Sequence, residues 1–213
     1  MHLPFTEPQL LQDGMWLLPG FAHRFKPGEQ LAAICAKSPP RQMVTPWGKP
    51  MSVFSTSVGN TGWISDQQGY RYSNVDPNSG QRWPDMPASF VDLASSATAA
   101  IGVDQYQPDT CLIHRYDVGA QMGAHQDDDE HDMTQPIVSV SLGLDATFFF
   151  RPSSSGSTTP VPLHDGDVLV FGGPLRRCYH GIRKIQPGTH PIYGPARWNL
   201  TFRRATPMPA DVN

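Results

Sequence analysis

The sequence predicts a mainly β (α+β) protein, a double-stranded β-helix or jelly roll with flanking N-terminal helices, and three observations predict it. After residue 110, short apolar runs follow one another between turn residues, at the spacing of a sandwich or jelly roll. Helical periodicity is confined to two segments before residue 102. Gly 19 and Pro 22 make close to a fifth of the 213 residues, against roughly 12% in average usage, as a many-turned chain requires. The length suits one domain able to bury its core without cross-links.

The first 25 residues are proline-interrupted and hold one strand candidate, Met15 to Leu18. A helix is expected over Gly28 to Lys37, stopped by Pro39-Pro40. A second runs from Pro87 to Ile101, where Phe90, Leu93, Ala97 and Ile101 recur at helical spacing and Gly102 supplies the stop. Strands follow at Cys111 to Tyr116, Ile137 to Leu142, Thr147 to Phe150, Val168 to Phe171, Cys178 to Ile182 and Trp198 to Phe202. Ser153 to Thr159 reads as a hairpin loop between two of them. The chain thus divides into an N-terminal extension, 1–110, that is part of the same domain, a jelly-roll core, 111–204, and a C-terminal tail, 205–213.

Disorder is excluded by 10% aromatic and only 16% charged residues. Three cysteines, widely spaced and without a C-x-x-C pair, indicate neither a disulfide framework nor a zinc knuckle and suit a reducing cytoplasm. There is no signal-peptide pattern and no 18-residue apolar stretch, so no membrane partner is expected. The net charge of -3 argues against nucleic acid, but the charge is unevenly placed. Residues 121–150 hold six acids and no Lys or Arg, while 151–204 hold eight basic residues against two acids.

Two strands have informative faces. Ile137 to Leu142 sets valines and leucine on one side and serines on the other; Arg197 to Arg203 carries Arg197, Asn199, Thr201 and Arg203 on one side. Such a polar face points either at solvent or into a cavity, where two arginines would demand an anion. His125-Gln126-Asp127 places an imidazole and a carboxylate on one face of an extended segment. That pair alone is weak, since a solvated acidic loop looks the same. His180 supplies a third ligand, because it interrupts an apparent strand between an aromatic and a glycine. His131, His164 and His190 are expected on the surface. Two His and one carboxylate leave three positions open on an octahedral metal, the arrangement suited to Fe(II) and O2 chemistry. A dicarboxylate co-substrate such as 2-oxoglutarate would then be chelated at one end and clamped at the other by Arg197 or Arg203.

These residues resemble the AlkB family of Fe(II)- and 2-oxoglutarate-dependent nucleic-acid dealkylases. The likeness runs through Arg-Tyr-x-x-Gly (115–119), His-x-Asp-x-Asp-Glu (125–130), Tyr-His-Gly-Ile (179–182) and Arg-x-Asn-x-Thr-x-Arg (197–203), and upstream through 41–46, 62–63 and 68–73. The resemblance implies substrate-covering hairpins, and iron held by His125, Asp127 and His180. It places 2-oxoglutarate among His114, Tyr116, Arg197, Asn199, Thr201 and Arg203, with Arg197 on the distal carboxylate and Arg203 nearer the metal, steadying Asp127. Trp63 and the His125 ring would sandwich a flipped base, Tyr70 and Tyr72 with Arg71 between them would hold the adjacent phosphate, and Asp129 would read the exocyclic amine. His114 departs from the family's Asn, and the 153–159 hairpin lacks a basic residue.

The function implied is oxidative demethylation of bases such as 1-methyladenine and 3-methylcytosine, releasing formaldehyde, succinate and CO2, as in repair of alkylation damage. The partner implied is alkylated DNA, single-stranded in preference, or RNA, met by a monomer whose basic C-terminal third faces phosphates. Two other readings stay open: an Fe(II)/2-oxoglutarate hydroxylase of a protein or small molecule, and a jelly-roll binding module with a structural metal or none.

Overall fold

The computed structural model describes residues 7–207. Fourteen strands and two helices are present among them: β1 (Gln9–Gln12), β2 (Met15–Leu18), α1 (Pro27–Lys37), β3 (Arg41–Val44), β4 (Pro50–Gly59), β5 (Gly62–Asp66), β6 (Gly69–Ser73), α2 (Ala88–Ala99), β7 (Thr110–Asp117), β8 (Met122–His125), β9 (Ile137–Gly143), β10 (Ala146–Arg151), β11 (Thr159–Leu163), β12 (Val168–Phe171), β13 (Tyr179–Ile182) and β14 (Ala196–Arg203). An eight-stranded sheet has the order β1-β2-β12-β9-β14-β7-β4-β3, and a four-stranded sheet the order β11-β10-β13-β8. All their pairings are antiparallel, and β5 and β6 form a separate hairpin. Two facing antiparallel sheets joined this way make the expected jelly roll.

The helices and strands predicted from period all form, with ends shifted by a residue or two. Pro27 opens α1, where its missing N–H costs nothing. Past α2, Gly102 takes a left-handed φ of 80°, the conformation that favours glycine at a helix stop. Phe90, Leu93, Ala94 and Ala97 of α2 are buried against Val138, Val140, Leu200 and Phe202 of the large sheet, with Phe90 edge-on to Phe202 at 5.7 Å. The outer face of the large sheet is thereby spent on the helices. Its inner face meets the small sheet through an apolar cluster at one end, Phe148, Phe150, Val161, Leu169 and Phe171. The rest of that inner face carries Ser139, Ser141, Asn199, Thr201 and Arg203, all buried.

The N-terminal strands are not a separate layer: β1 and β2 join one edge of the large sheet, and β3 and β4 the other. The tail expected at 205–213 is described only to 207, where Ala205 and Thr206 donate their N–H groups to the buried Asp109 carboxylate; 208–213 lie outside the described residues. His131 and His164 are exposed as expected. His190 is not: its side chain is only 20% exposed, wedged 3.5 Å from Asp165 and stacked on Tyr193. Among the described residues, no helix is long and apolar enough to cross a membrane.

Candidate active site

His125 ends β8 and His180 lies directly opposite it on β13. Cross-strand pairing brings their rings to 4.4 Å. Asp127, two residues beyond the strand, turns its carboxylate between them, 3.7 Å from His125 Nε2 and 3.8 Å from His180 Nε2. The three ligand atoms lie within 4.8 Å of one another. Each ring's other nitrogen is already engaged: His125 Nδ1 donates to the Gly123 carbonyl at 2.9 Å and His180 Nδ1 to the Cys178 carbonyl at 3.1 Å. Those bonds fix the tautomer that leaves Nε2 as a lone-pair donor. Burial, and after it the neighbouring His125, pushes His180 down to about 4, so it is neutral near pH 7. Burial alone would raise the Asp127 carboxyl, but Arg203, then His180 and His125, hold it well below the usual carboxylate range. The donor set is two imidazoles and one carboxylate, which suits a divalent first-row metal with open positions.

Behind the triad, the polar face of β14 points into the jelly roll, not at solvent. Asn199 is locked by bonds to Ser139 Oγ (2.9 Å), the Val140 carbonyl (2.8 Å) and Thr201 Oγ1 (2.9 Å). Arg203 grips Asp127 Oδ2 through Nε at 3.1 Å and Nη2 at 2.5 Å. Arg197 is different. It is 1% exposed, donates one bond, to Ser141 Oγ at 3.0 Å, and lies 5.0 Å from the Tyr116 ring. Its Nε and Nη1 have no hydrogen-bond partner among the described residues. A buried guanidinium with two idle donors fits the carboxylate of a dicarboxylate ligand. His114 Nδ1 and the Ser55 hydroxyl share a hydrogen bond of 2.8 Å, and burial, then Arg203, pushes the imidazole down to about 3. The cavity lining comprises the triad, His114, Tyr116, Asn199, Thr201 and Arg203, closed on its apolar side by Phe148, Phe171 and Ile182.

A second pocket of about 320 Å³ opens on the other side of the triad and shares His114, His125, Asp127 and Arg203 with the first. Trp63 of β5 and Tyr70 of β6 form its lip, stacked at 5.4 Å with 15° between planes. Asp129 stands at the rim and accepts Trp63 Nε1–H at 2.7 Å; burial raises its carboxyl above the ordinary value. Tyr72 lies on the same hairpin face; its hydroxyl donates to Glu130 Oε1 at 2.6 Å, and the residue lines a neighbouring cleft with Tyr70, Arg71 and Asp129. Arg71 is not brought into the pocket beside the triad: it falls on the opposite hairpin face and forms a two-pronged ion pair with Asp66.

The basic C-terminal third differs from expectation. Of its eight basic residues, Arg176 and Arg203 are buried against the acidic segment, Arg177 pairs with Asp128 at 3.6 Å on the surface, and Arg197 is buried apart from that segment. Sequence reasoning missed Ser55, Ser139 and Ser141, which anchor His114, Asn199 and Arg197, and missed Arg176, whose three donors hold 127–135. The serines of β9 were visible as one polar face; Arg176 had no periodic signal.

A jelly roll with two His and one carboxylate between its sheets, beside a buried arginine, defines an Fe(II)- and 2-oxoglutarate-dependent oxygenase, and the family model of the 2OG-Fe(II) oxygenase superfamily matches residues 14–203. The chain is 46% identical over 207 residues to the alpha-ketoglutarate-dependent dioxygenase AlkB of Escherichia coli, covering 95% of this chain and 94% of that protein. It is 32% identical to the DNA N(6)-methyladenine demethylase ALKBH1C of Arabidopsis thaliana over 65% of this chain and 36% of that one. The solved structure of OsALKBH1 superposes with a TM-score of 0.79 at 28% identity, over 92% of this chain and 99% of that one. The chain belongs to the AlkB family, and it is a dioxygenase that uses Fe(II), 2-oxoglutarate and O2.

Proposed function

We propose that the enzyme demethylates N-alkylated bases such as 1-methyladenine and 3-methylcytosine in nucleic acid. The observation that carries this reading is the aromatic-lipped pocket that opens directly onto His125 and Asp127, two of the three triad residues. His125, Asp127 and His180 hold the iron through two Nε2 atoms and a carboxylate oxygen. When bound, the iron and 2-oxoglutarate supply an oxidant that hydroxylates the alkyl carbon, with succinate and CO2 as by-products; the hydroxylated group then leaves the base as formaldehyde.

The chain's own residues position the reactants. Arg197 takes the distal carboxylate of 2-oxoglutarate with its idle Nε and Nη1, while Tyr116, Asn199, Thr201 and His114 line its body. Arg203 serves the other end by orienting Asp127. A flipped base slides between Trp63 and the His125 ring, which bind any base through its π-face. Asp129, held by the Trp63 indole, keeps lone pairs for the exocyclic amine of adenine or cytosine. Tyr70, 43% exposed at the lip, meets the neighbouring phosphate in this reading. The relative ALKBH1C, named as a DNA demethylase, supports a nucleic-acid substrate.

Single-stranded DNA is the preferred form, because the base must leave the stack before it reaches the triad. In this reading the chain acts as a monomer in the cytoplasm, where the free thiols Cys35, Cys111 and Cys178 are at home. Residues 111–204 are its catalytic core and 1–110 its recognition extension. The test is anaerobic loading with Fe(II) and 2-oxoglutarate, then exposure to air with a single-stranded oligonucleotide carrying 1-methyladenine or 3-methylcytosine. Formaldehyde release with loss of the methyl mass is expected. An intact methyl mass in the presence of active 2-oxoglutarate turnover would refute the substrate.

A further inference from the structure

Asp127 is the one member of the triad that no strand holds. β8 ends at His125, and the chain runs without regular structure until β9 begins at Ile137. Hydrogen bonds other than those of a sheet must therefore fix its backbone. Arg176, in the turn before β13, supplies them. Its Nη1 donates to the Asp127 carbonyl at 2.8 Å, its Nε to the Gln135 carbonyl at 2.8 Å, and its Nη2 to Glu130 Oε2 at 2.9 Å. One planar guanidinium thus pins the start, middle and end of the segment, a task that a point-charge ammonium cannot share. The other oxygen of Glu130 accepts the Tyr72 hydroxyl and lies 3.4 Å from Arg203 Nε, and Arg203 in turn grips the Asp127 carboxylate. Side-chain exposure is 4% at Arg176 and 2% at Glu130.

We propose that Arg176 and Glu130 are positioning residues for the metal centre: a buried pair that sets segment 126–135 so that the Asp127 carboxylate faces His125 Nε2 and His180 Nε2. Neither touches those ligand atoms, so both act through Asp127. Arg176 fixes its main chain, Arg203 its side chain, and Glu130 joins the two arginines. A pair serving stability alone could give way to uncharged groups at little cost. A positioning pair cannot, because the metal then loses an oriented ligand. The inference rests on the reading of Asp127 as a metal ligand.

The test titrates the full chain with Mn(II) alone, following the paramagnetic signal of the free ion, with folding checked by circular dichroism and thermal melting. Arg176→Lys and Glu130→Gln are each expected to weaken Mn(II) binding by roughly 10–100-fold, the usual loss when a ligand's supporting bonds are removed. The double variant Arg176→Met with Glu130→Gln leaves no lone buried charge and keeps an acceptor for Tyr72; it is expected to melt near the wild type and still bind Mn(II) weakly. Asp76→Asn, which breaks the separate Arg41–Asp76 ion pair, is expected to lower the melting temperature and leave Mn(II) affinity unchanged. Wild-type Mn(II) affinity in a folded positioning variant overturns the inference. A wild-type chain that binds no Mn(II) overturns the metal-site reading and this inference with it.

Discussion

Arg197→Met separates the two things a buried arginine can do. The guanidinium is 1% exposed, with one bond to Ser141 and two donor nitrogens idle, and burial lowers its pKa. Keeping a charge out of water without an anion costs several kcal/mol, so the residue burdens the empty fold and is repaid only by a ligand. Two charge-assisted bonds to a carboxylate contribute about 1.5–3 kcal/mol each, together about 3–6 kcal/mol. That corresponds to a loss of roughly 10²- to 10⁴-fold in 2-oxoglutarate affinity. Without 2-oxoglutarate, the variant should melt at or above the wild-type temperature, since methionine fills the same space without a charge. The assay is anaerobic calorimetric titration of 2-oxoglutarate with Mn(II) present, paired with melting curves. In the wild type, ligand at a hundred times Kd adds about 2.7 kcal/mol of stability, and at that concentration the variant should show at most about 0.4 kcal/mol. Wild-type affinity in Arg197→Met would refute the clamp. A variant destabilised by more than about 2 kcal/mol would show that the guanidinium serves the fold through Ser141 and Tyr116 instead.

The remaining predictions follow from single contacts. His114 and His180 are pushed down by burial to about 3 and about 4, so between pH 6.5 and 4 the unfolded chain binds protons that the folded chain refuses. Stability of the metal-free protein, complete above pH 6.5, should fall on acidification by about 1.4 kcal/mol per pH unit for each group, and His114→Asn should remove one share of that slope in urea titrations from pH 7 to 4.5. Trp63→Ala removes the stacking platform and should raise the oligonucleotide KM by a factor reflecting about 1–3 kcal/mol, while 2-oxoglutarate binding stays unchanged by calorimetry. In Gly181→Ala the new methyl would meet the Met122 carbonyl at 2.5 Å and the Phe149 ring at 2.6 Å. That should drive β13 off β8, separate His180 from His125 and cost about 1–3 kcal/mol, read as a lower melting temperature with weakened Mn(II) binding.

What could be read from the sequence was what has a period. The alternation in Ile137 to Leu142 and Arg197 to Arg203 assigned both faces correctly, and only the choice between solvent and cavity had to wait for the second sheet. β4 escaped notice because its buried centre is Ser55, Thr56 and Ser57, polar residues that belong inside only once β7 lies beside them. The hairpin of β5 and β6 was legible only by family likeness. Likeness put Tyr72 and Arg71 on a phosphate; the fold engages one with Glu130 and the other with Asp66, and both line a surface cleft with Tyr70 and Asp129. Arg176 lay beyond reach, since its three acceptors are 41 to 49 positions away and two of them are backbone oxygens with no residue identity.

The lopsided charge of the chain also acquires a physical reason. Asp127 pairs with Arg203, Asp128 with Arg177, and Glu130 with Arg176, so the acidic segment and the basic third neutralise each other at the edge of the site. Asp129 and Asp132 are left over; Asp132 is capped by Thr134, whereas Asp129 at the pocket rim has the neutral indole of Trp63 as its hydrogen-bond partner among the described residues, and no cation pairs with it. A carboxylate of this kind, beside an aromatic face and half out of water, favours a planar cation. 1-Methyladenine and 3-methylcytosine are planar cations, whereas the unmethylated bases are neutral. Discrimination then needs no contact with the methyl group itself. Asp129→Asn should therefore lose selectivity for the methylated base over its neutral parent while preserving the affinity for 2-oxoglutarate, as competition binding with paired oligonucleotides would measure; unchanged selectivity would move the discrimination elsewhere in the pocket.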